Sequence, residues 1–144
     1  MGFLLTENGL LEIHAMLYGR MTGYRKVSVF CKEERSGGRV EYVPPENVEM
    51  AVVHCLIRVN EILSQSSRKL DCFLAAAVLW AELLIRIHPF PDGNGRVVRY
   101  LTGLLLSNVG YQIHSYELLL TIPRSESMEK DILSFQSALL LVAQ

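Results

Sequence analysis

The sequence predicts a mainly α fold, a compact helical bundle around a central buried helix with a small β-hairpin attached. Three observations predict it. Apolar residues recur at helical spacing through most of the chain, residues 73–87 are apolar on nearly every side, and period-two alternation is confined to residues 26–43. At 144 residues, half of them apolar, the chain has the length of one domain, 1–144, and every element is expected to share one core.

Thr6 is placed to cap a first helix carrying Leu10, Ile13, His14 and Leu17, which stops at Gly19. Val27, Val29 and Cys31 then alternate, Ser36-Gly37-Gly38 turns the chain, and residues 39–43 return, which reads as a hairpin over about 26–43. Pro44-Pro45 closes it. Pro45 and Glu46 start an amphipathic helix with Val48, Ala51, Val52, Cys55, Leu56, Val59, Ile62 and Leu63 on its inner face. After a polar connection at 64–69, Asp71 caps a helix running through Ala75, Val78, Leu79, Glu82 and Leu83 to Ile87. Its apolar faces place it at the centre of the bundle. Val97, Leu101, Leu104 and Leu105 mark a fourth helix ending near Ser107, with Gly110 as its exit, and the region from Ser125 onward is a last helix turning Ile132, Leu133, Phe135, Leu139 and Leu140 inward.

Composition excludes several function classes. Lys plus Arg number 14 against 15 Asp plus Glu, so nothing global attracts the chain to nucleic acid or to an anionic membrane, and any phosphate affinity must be local. Cys31, Cys55 and Cys72 form no CxxC pair, which argues against a disulfide framework or zinc ribbon and for a reducing, cytoplasmic location, with export as an effector the alternative. The opening MGFLLTENG lacks the basic and apolar regions of a signal peptide, and 73–87 is shorter than the roughly 20 residues of a membrane span. His14, His54 and His114 have no metal-ligand spacing and read as structural, Trp80 reads as core, and Lys32, Glu33, Glu34 and Arg35 read as a solvated hairpin tip.

Residues 88–99, His-Pro-Phe-Pro-Asp-Gly-Asn-Gly-Arg-Val-Val-Arg, resist explanation by folding alone. Gly93-Asn94-Gly95 leads into a helix, where backbone N–H groups can approach an anion with no Cβ in the way and the positive helix end favours negative charge. Arg96 and Arg99, three apart, can project from one side and fork onto phosphate oxygens, which suggests a polyphosphate. Asp92 supplies the hard oxygen ligand that Mg²⁺ accepts while bridging phosphates. His88, with an ordinary pKa of about 6.5, is a candidate base for a hydroxyl. Pro89 and Pro91 restrict the loop, and Phe90 between them is expected to turn inward and anchor it.

This segment resembles the signature of the Fic family, His-x-Phe-x-Asp/Glu-Gly-Asn-Gly-Arg-x-x-Arg, and matches it at every specified position. Eight constrained positions coincide by chance at a given start about once in 10¹⁰ trials. The resemblance implies a Fic fold and a protein adenylyltransferase that binds Mg-ATP, transfers AMP to a Tyr, Thr or Ser hydroxyl of a target protein and releases pyrophosphate. It implies that His88 is the catalytic base, that Asp92 holds Mg²⁺, that Gly93, Asn94, Gly95 and Arg96 form the anion hole for the α- and β-phosphates, and that Arg99 orients the terminal phosphates. It also implies that residues 26–43 are the family's flap, on which an extended segment of the target protein docks by strand addition.

Many members of the family are restrained by a Ser/Thr-x-x-x-Glu-Gly/Asn motif whose glutamate pairs with the second signature arginine, here Arg99. Residues 125–129 have the Ser-x-x-x-Glu spacing, but Lys130 stands where Gly or Asn is expected. Ser125 or Ser127 as a helix cap, with Glu126, Glu129 and Asp131 in the first turn, explains the same residues and is the preferred reading. No such motif precedes the core, so inhibition from that side would require a separate inhibitory protein or residues outside this sequence. Transfer of UMP, phosphocholine or phosphate is the alternative chemistry within the family. Gly95, where phosphorylating relatives usually carry Lys, favours AMP. A non-catalytic binding module of the same fold is the alternative outside it.

Overall fold

A computed structural model describes residues 4–32, 39–65 and 69–144. It contains helix α1 (Glu7–Tyr18), strands β1 (Phe30–Lys32) and β2 (Arg39–Glu41), helices α2 (Val48–Gln65) and α3 (Lys69–Val78), a π-helical segment (Leu79–Ile87), and helices α4 (Asn94–Ser107), α5 (Glu117–Leu120) and α6 (Met128–Val142). α1 begins and ends where its capping residues dictate. The Thr6 side chain accepts from Gly9 N–H at 3.0 Å, and Gly19, at φ +95°, returns its N–H to the Ala15 carbonyl.

β1 and β2 pair antiparallel with Phe30 opposite Glu41 and Cys31 opposite Val40. The ladder is shorter than the expected 26–43 because both stems are diverted. Val43 N–H bonds to the Arg86 carbonyl, and the carbonyls of Val27 and Val43 both accept from the Arg25 guanidinium. Tyr42 N–H still reaches the Val29 carbonyl at 3.0 Å. The expected turn at 36–38 and the tip residues Glu33, Glu34 and Arg35 lie outside the described residues, as do 66–68 of the polar connection.

A single 3₁₀ turn, Pro45–Asn47, precedes α2, which buries Val48, Val52, Cys55, Leu56 and Val59. α3 starts at Lys69, so Asp71 sits in its first turn, where the helix dipole favours a carboxylate, instead of capping it. The expected helix does reach Ile87, but it changes type on the way. From Leu79 the chain widens into a π-helix, and His88 N–H closes an i−5 bond to the Leu83 carbonyl at 2.9 Å. Together α3 and the π segment form the central axis, flanked by α2, α4 and α6. Trp80 is fully buried there, and its indole N–H donates to the Thr102 hydroxyl at 2.9 Å.

On α6 only Ile132, Phe135 and Leu139 of the five residues expected inward are buried. Leu133 and Leu140 are 62% and 42% exposed, because the helix turns one narrow face, i, i+3 and i+7, to the core. Its start is tied down by the Arg86–Asp131 ion pair at 2.8 Å, with Asp131 also accepting from Ser125 N–H. Among the described residues no helix is long and apolar enough to cross a membrane.

Candidate active site

The π segment ends at the mouth of a cavity, and its terminus is fully satisfied. The last four carbonyls of a helix normally lack intrahelical partners. Here the Leu84 carbonyl accepts from the His88 ring, Ile85 from Arg124, Arg86 from Val43 N–H and Ile87 from the Arg25 guanidinium. His88 itself is left-handed, at φ 53° and ψ 61°, the one residue other than glycine with positive φ among those described. Such a conformation costs a side-chain-bearing residue energy and persists only where its surroundings impose it.

Because a carbonyl can only accept, the 3.1 Å contact from His88 Nδ1 to the Leu84 oxygen places the proton on Nδ1 and leaves Nε2 with its lone pair. The Tyr42 ring stacks on the imidazole at 4.2 Å between centroids and 12° between planes. Burial lowers the His88 pKa from its ordinary value, and the Arg25 cation lowers it further, against an opposing contribution from the Leu84 hydrogen bond. Asp92, Arg96 and Arg99 share the cavity with it. His88 is therefore expected to stay neutral to lower pH than a free imidazole, and an NMR titration of its ring should give a midpoint below the usual 6.5.

The loop after His88 is held from inside. Phe90 is 1% exposed and lies flat against His14, with 3.8 Å between centroids and 7° between planes. His14, buried on α1, reaches the Asp92 carbonyl through Nε2 at 2.8 Å, so the histidine read as structural anchors this loop to the first helix. Asn94 closes the loop on itself, accepting from Phe90 N–H at 2.8 Å and donating to the Phe90 carbonyl at 2.9 Å. Both bonds tie its side-chain amide to the loop, while its main-chain N–H stands at the start of α4.

Gly93, at φ +85°, makes the turn into α4, where a Cβ would stand 3.4 Å from His14 Nε2. The first main-chain bond of α4 runs from Val97 N–H to the Gly93 carbonyl, so the N–H groups of Asn94, Gly95 and Arg96 have no intrahelical acceptor. A Cβ on Gly95 would stand 3.2 Å from the Arg99 guanidinium and press it aside by a few tenths of an ångström, so the Arg99 side chain lies close against the turn. His88, Asp92, Gly93, Asn94, Gly95, Arg96 and Arg99 all line one cavity of about 260 Å³. Asp92 and Arg96 are exposed at it and Arg99 is half-buried.

Asp92 is the one carboxylate among the residues lining that cavity, and no group of three or more His, Cys, Asp or Glu gathers anywhere among the described residues. A lone carboxylate suits a cation whose remaining ligands are phosphate oxygens and water, as Mg²⁺ prefers. His54 and His114 are exposed and remote from this chemistry by sequence and by environment. Ser127 caps α6, accepting from Lys130 N–H, and Glu129 is exposed in the first turn and makes no ion pair with Arg99 among the described residues. Arg25 and Tyr42, both in contact with His88, were missed by sequence reading. Neither stands at a diagnostic spacing from the 88–99 segment.

The sequence model of the Fic/DOC family matches residues 4–106. A protein adenylyltransferase Fic of Aedes aegypti is 31% identical over 111 residues, covering 74% of this chain and 20% of the relative. A Fido domain-containing protein of Dictyostelium discoideum is 30% identical over 83 residues, covering 58% of this chain and 56% of its own length. This chain thus spans about a fifth of the insect adenylyltransferase. The crystal structure of a Fic domain containing signaling protein from Bacteroides thetaiotaomicron superposes with a TM-score of 0.73 at 22% identity, covering 96% of this chain and 59% of that one, which supports the same fold. On the extent of the family match and the agreement of fold, the chain belongs to the Fic/DOC family.

Proposed function

We propose that this chain is a protein adenylyltransferase that moves AMP from ATP to a hydroxyl of another protein. The observation that carries the proposal is the meeting, in one cavity, of an imidazole with a free Nε2 and a helix start lined by glycine and two arginines. The relatives named adenylyltransferases support ATP as the donor.

In this reading His88 Nε2 takes the proton of the target hydroxyl as its oxygen attacks the α-phosphorus of ATP. A phosphorus–oxygen bond forms to the target, the bond to the β-phosphate bridge breaks, and pyrophosphate leaves. The N–H groups of Asn94, Gly95 and Arg96, with the Arg96 guanidinium, hold the α- and β-phosphates, and Arg99 orients the terminal ones. Asp92 would hold Mg²⁺, which when bound neutralises phosphate charge. The hairpin of β1 and β2 receives an extended segment of the target as an added strand and so presents its hydroxyl.

Incubation of the protein and a cell lysate with ATP labelled at the α-phosphate tests the reading, with intact-mass analysis of the labelled proteins. A mass increase of one AMP on a hydroxyl residue is expected. Label from the γ-phosphate alone, or none at all, defeats it. Because Glu129 is exposed and unpaired with Arg99, Glu129→Gly is expected to change the labelling rate by less than about twofold, in line with surface substitutions generally. An increase well beyond that would reinstate restraint through the 125–129 motif.

A further inference from the structure

Arg25 is 3% exposed, the only buried Lys or Arg among the described residues, and no carboxylate pairs with it at ion-pair distance there. Instead its guanidinium donates to four carbonyls. Nε–H reaches His88 at 2.6 Å, Nη1 reaches Val27 at 2.9 Å, and Nη2 reaches Ile87 at 2.8 Å and also Val43. Its own main-chain N–H donates to the Pro89 carbonyl at 2.8 Å. Three consecutive carbonyls, 87 to 89, and both stems of the hairpin therefore converge on one residue.

A buried cation with no carboxylate in contact is expensive, even with Glu41 attracting it from a distance, and capping a helix end does not require a cation. What four forked bonds achieve, and a neutral cap cannot, is to fix the peptide on the far side of the left-handed His88 while fastening the segments on either side of the hairpin. Tyr42, next to Val43, stacks on the His88 ring and closes the same connection from the side-chain side.

We propose that Arg25 is a positioning residue for His88. Its guanidinium holds His88 in its left-handed conformation and links that conformation to the two hairpin stems at Val27 and Val43. The inference rests on the reading of His88 as the base, and it concerns how that base is placed and what it is coupled to. A target segment that settles on the hairpin thereby acts on the base through one side chain. Charges facing His88 are Arg25 on the connection after α1 and Asp92, Arg96 and Arg99 around the cavity, with the Tyr42 ring on the hairpin side.

The test compares wild type with Arg25→Ala and Arg25→Lys, using label transfer at saturating ATP, hydrogen exchange of the Val43 amide and an NMR titration of the His88 ring. Arg25→Ala is expected to lower the transfer rate by about 100-fold with the KM for ATP changed less than about threefold, since a misplaced base costs turnover and not nucleotide binding. Guanidinium added to solution should restore roughly tenfold of that loss by refilling the site. Exchange at Val43 should quicken, and the His88 midpoint should rise as the neighbouring cation is lost.

Arg25→Lys keeps a cation but not the fork, so it should retain the slow turnover while its His88 midpoint stays near that of wild type. A folded Arg25→Ala with wild-type turnover and unchanged Val43 exchange overturns the proposal. Should Arg25→Ala not fold, wild-type turnover in Arg25→Lys overturns it, and the slow rate sustains it. If wild type transfers no label, the reading of His88 as base fails separately. Val43 exchange and the His88 ring signal in the two variants then decide alone, with quickened exchange and a shifted ring sustaining the linkage and unchanged values ending it.

Discussion

His88→Ala is expected to lower the proposed AMP transfer by about 10² to 10⁴ in rate while leaving ATP binding within about twofold. The expectation follows from the division of labour in the cavity. In the proposed reading phosphate is met by main-chain N–H groups and by Arg96 and Arg99, which line the cavity and do not need the imidazole. In the same reading the proton of the target hydroxyl goes to His88 Nε2, whose partner nitrogen is already tied to the Leu84 carbonyl. Calorimetry of Mg-ATP binding beside labelled transfer separates the two roles. Loss of nucleotide binding in the variant would show that His88 belongs to the nucleotide site and not to proton transfer.

The same residue is expected to set the pH profile. Only neutral imidazole can act as base, and burial together with the Arg25 charge lowers its pKa. Transfer should therefore persist below the ordinary imidazole midpoint of 6.5 and fall only as pH drops through the lowered value. An acid limb in kcat/KM lying above 6.5 would contradict this placement.

Phe90→Ala is expected to cost about 3–5 kcal/mol of folding stability, lowering Tm by roughly 10 °C or more. Phe90 is buried at 1% exposure, stacked on His14, tilted against Tyr24, and its main-chain N–H and carbonyl are both taken by Asn94. Removing the ring opens a cavity beneath the loop and frees His14, which holds the Asp92 carbonyl. Loss of stability should therefore be accompanied by weaker ATP binding. Denaturant unfolding and calorimetry on the same sample measure both, and a Phe90→Ala protein of unchanged midpoint would show that the loop is held elsewhere.

Local signals made much of this molecule legible. Thr6 and Gly19 bound α1 as their side-chain and left-handed preferences require, because capping depends on residues three or four apart. The inward turn of Phe90 and the burial of Trp80 followed from size and apolar neighbours. The residues of the 88–99 segment could be grouped because one loop and one helix start carry them all. Reading went astray where long-range contacts outweigh local pattern. Leu133 and Leu140 satisfy a helical period yet face outward, since the contacts of α6 with α3, the π segment and α5 leave that side uncovered, and the four-residue α5 leaves no pattern to read.

Alone, then, the order of residues determined a helical chain with a glycine-flanked, arginine-bearing turn following a histidine, because caps, periods and signature spacing act over a few positions. Only the tertiary structure decided that this histidine would be left-handed, stacked under Tyr42 and gripped by Arg25. Arg25 lies 63 residues away, and nothing in the local chain can encode a contact whose partners meet only after the helices have packed.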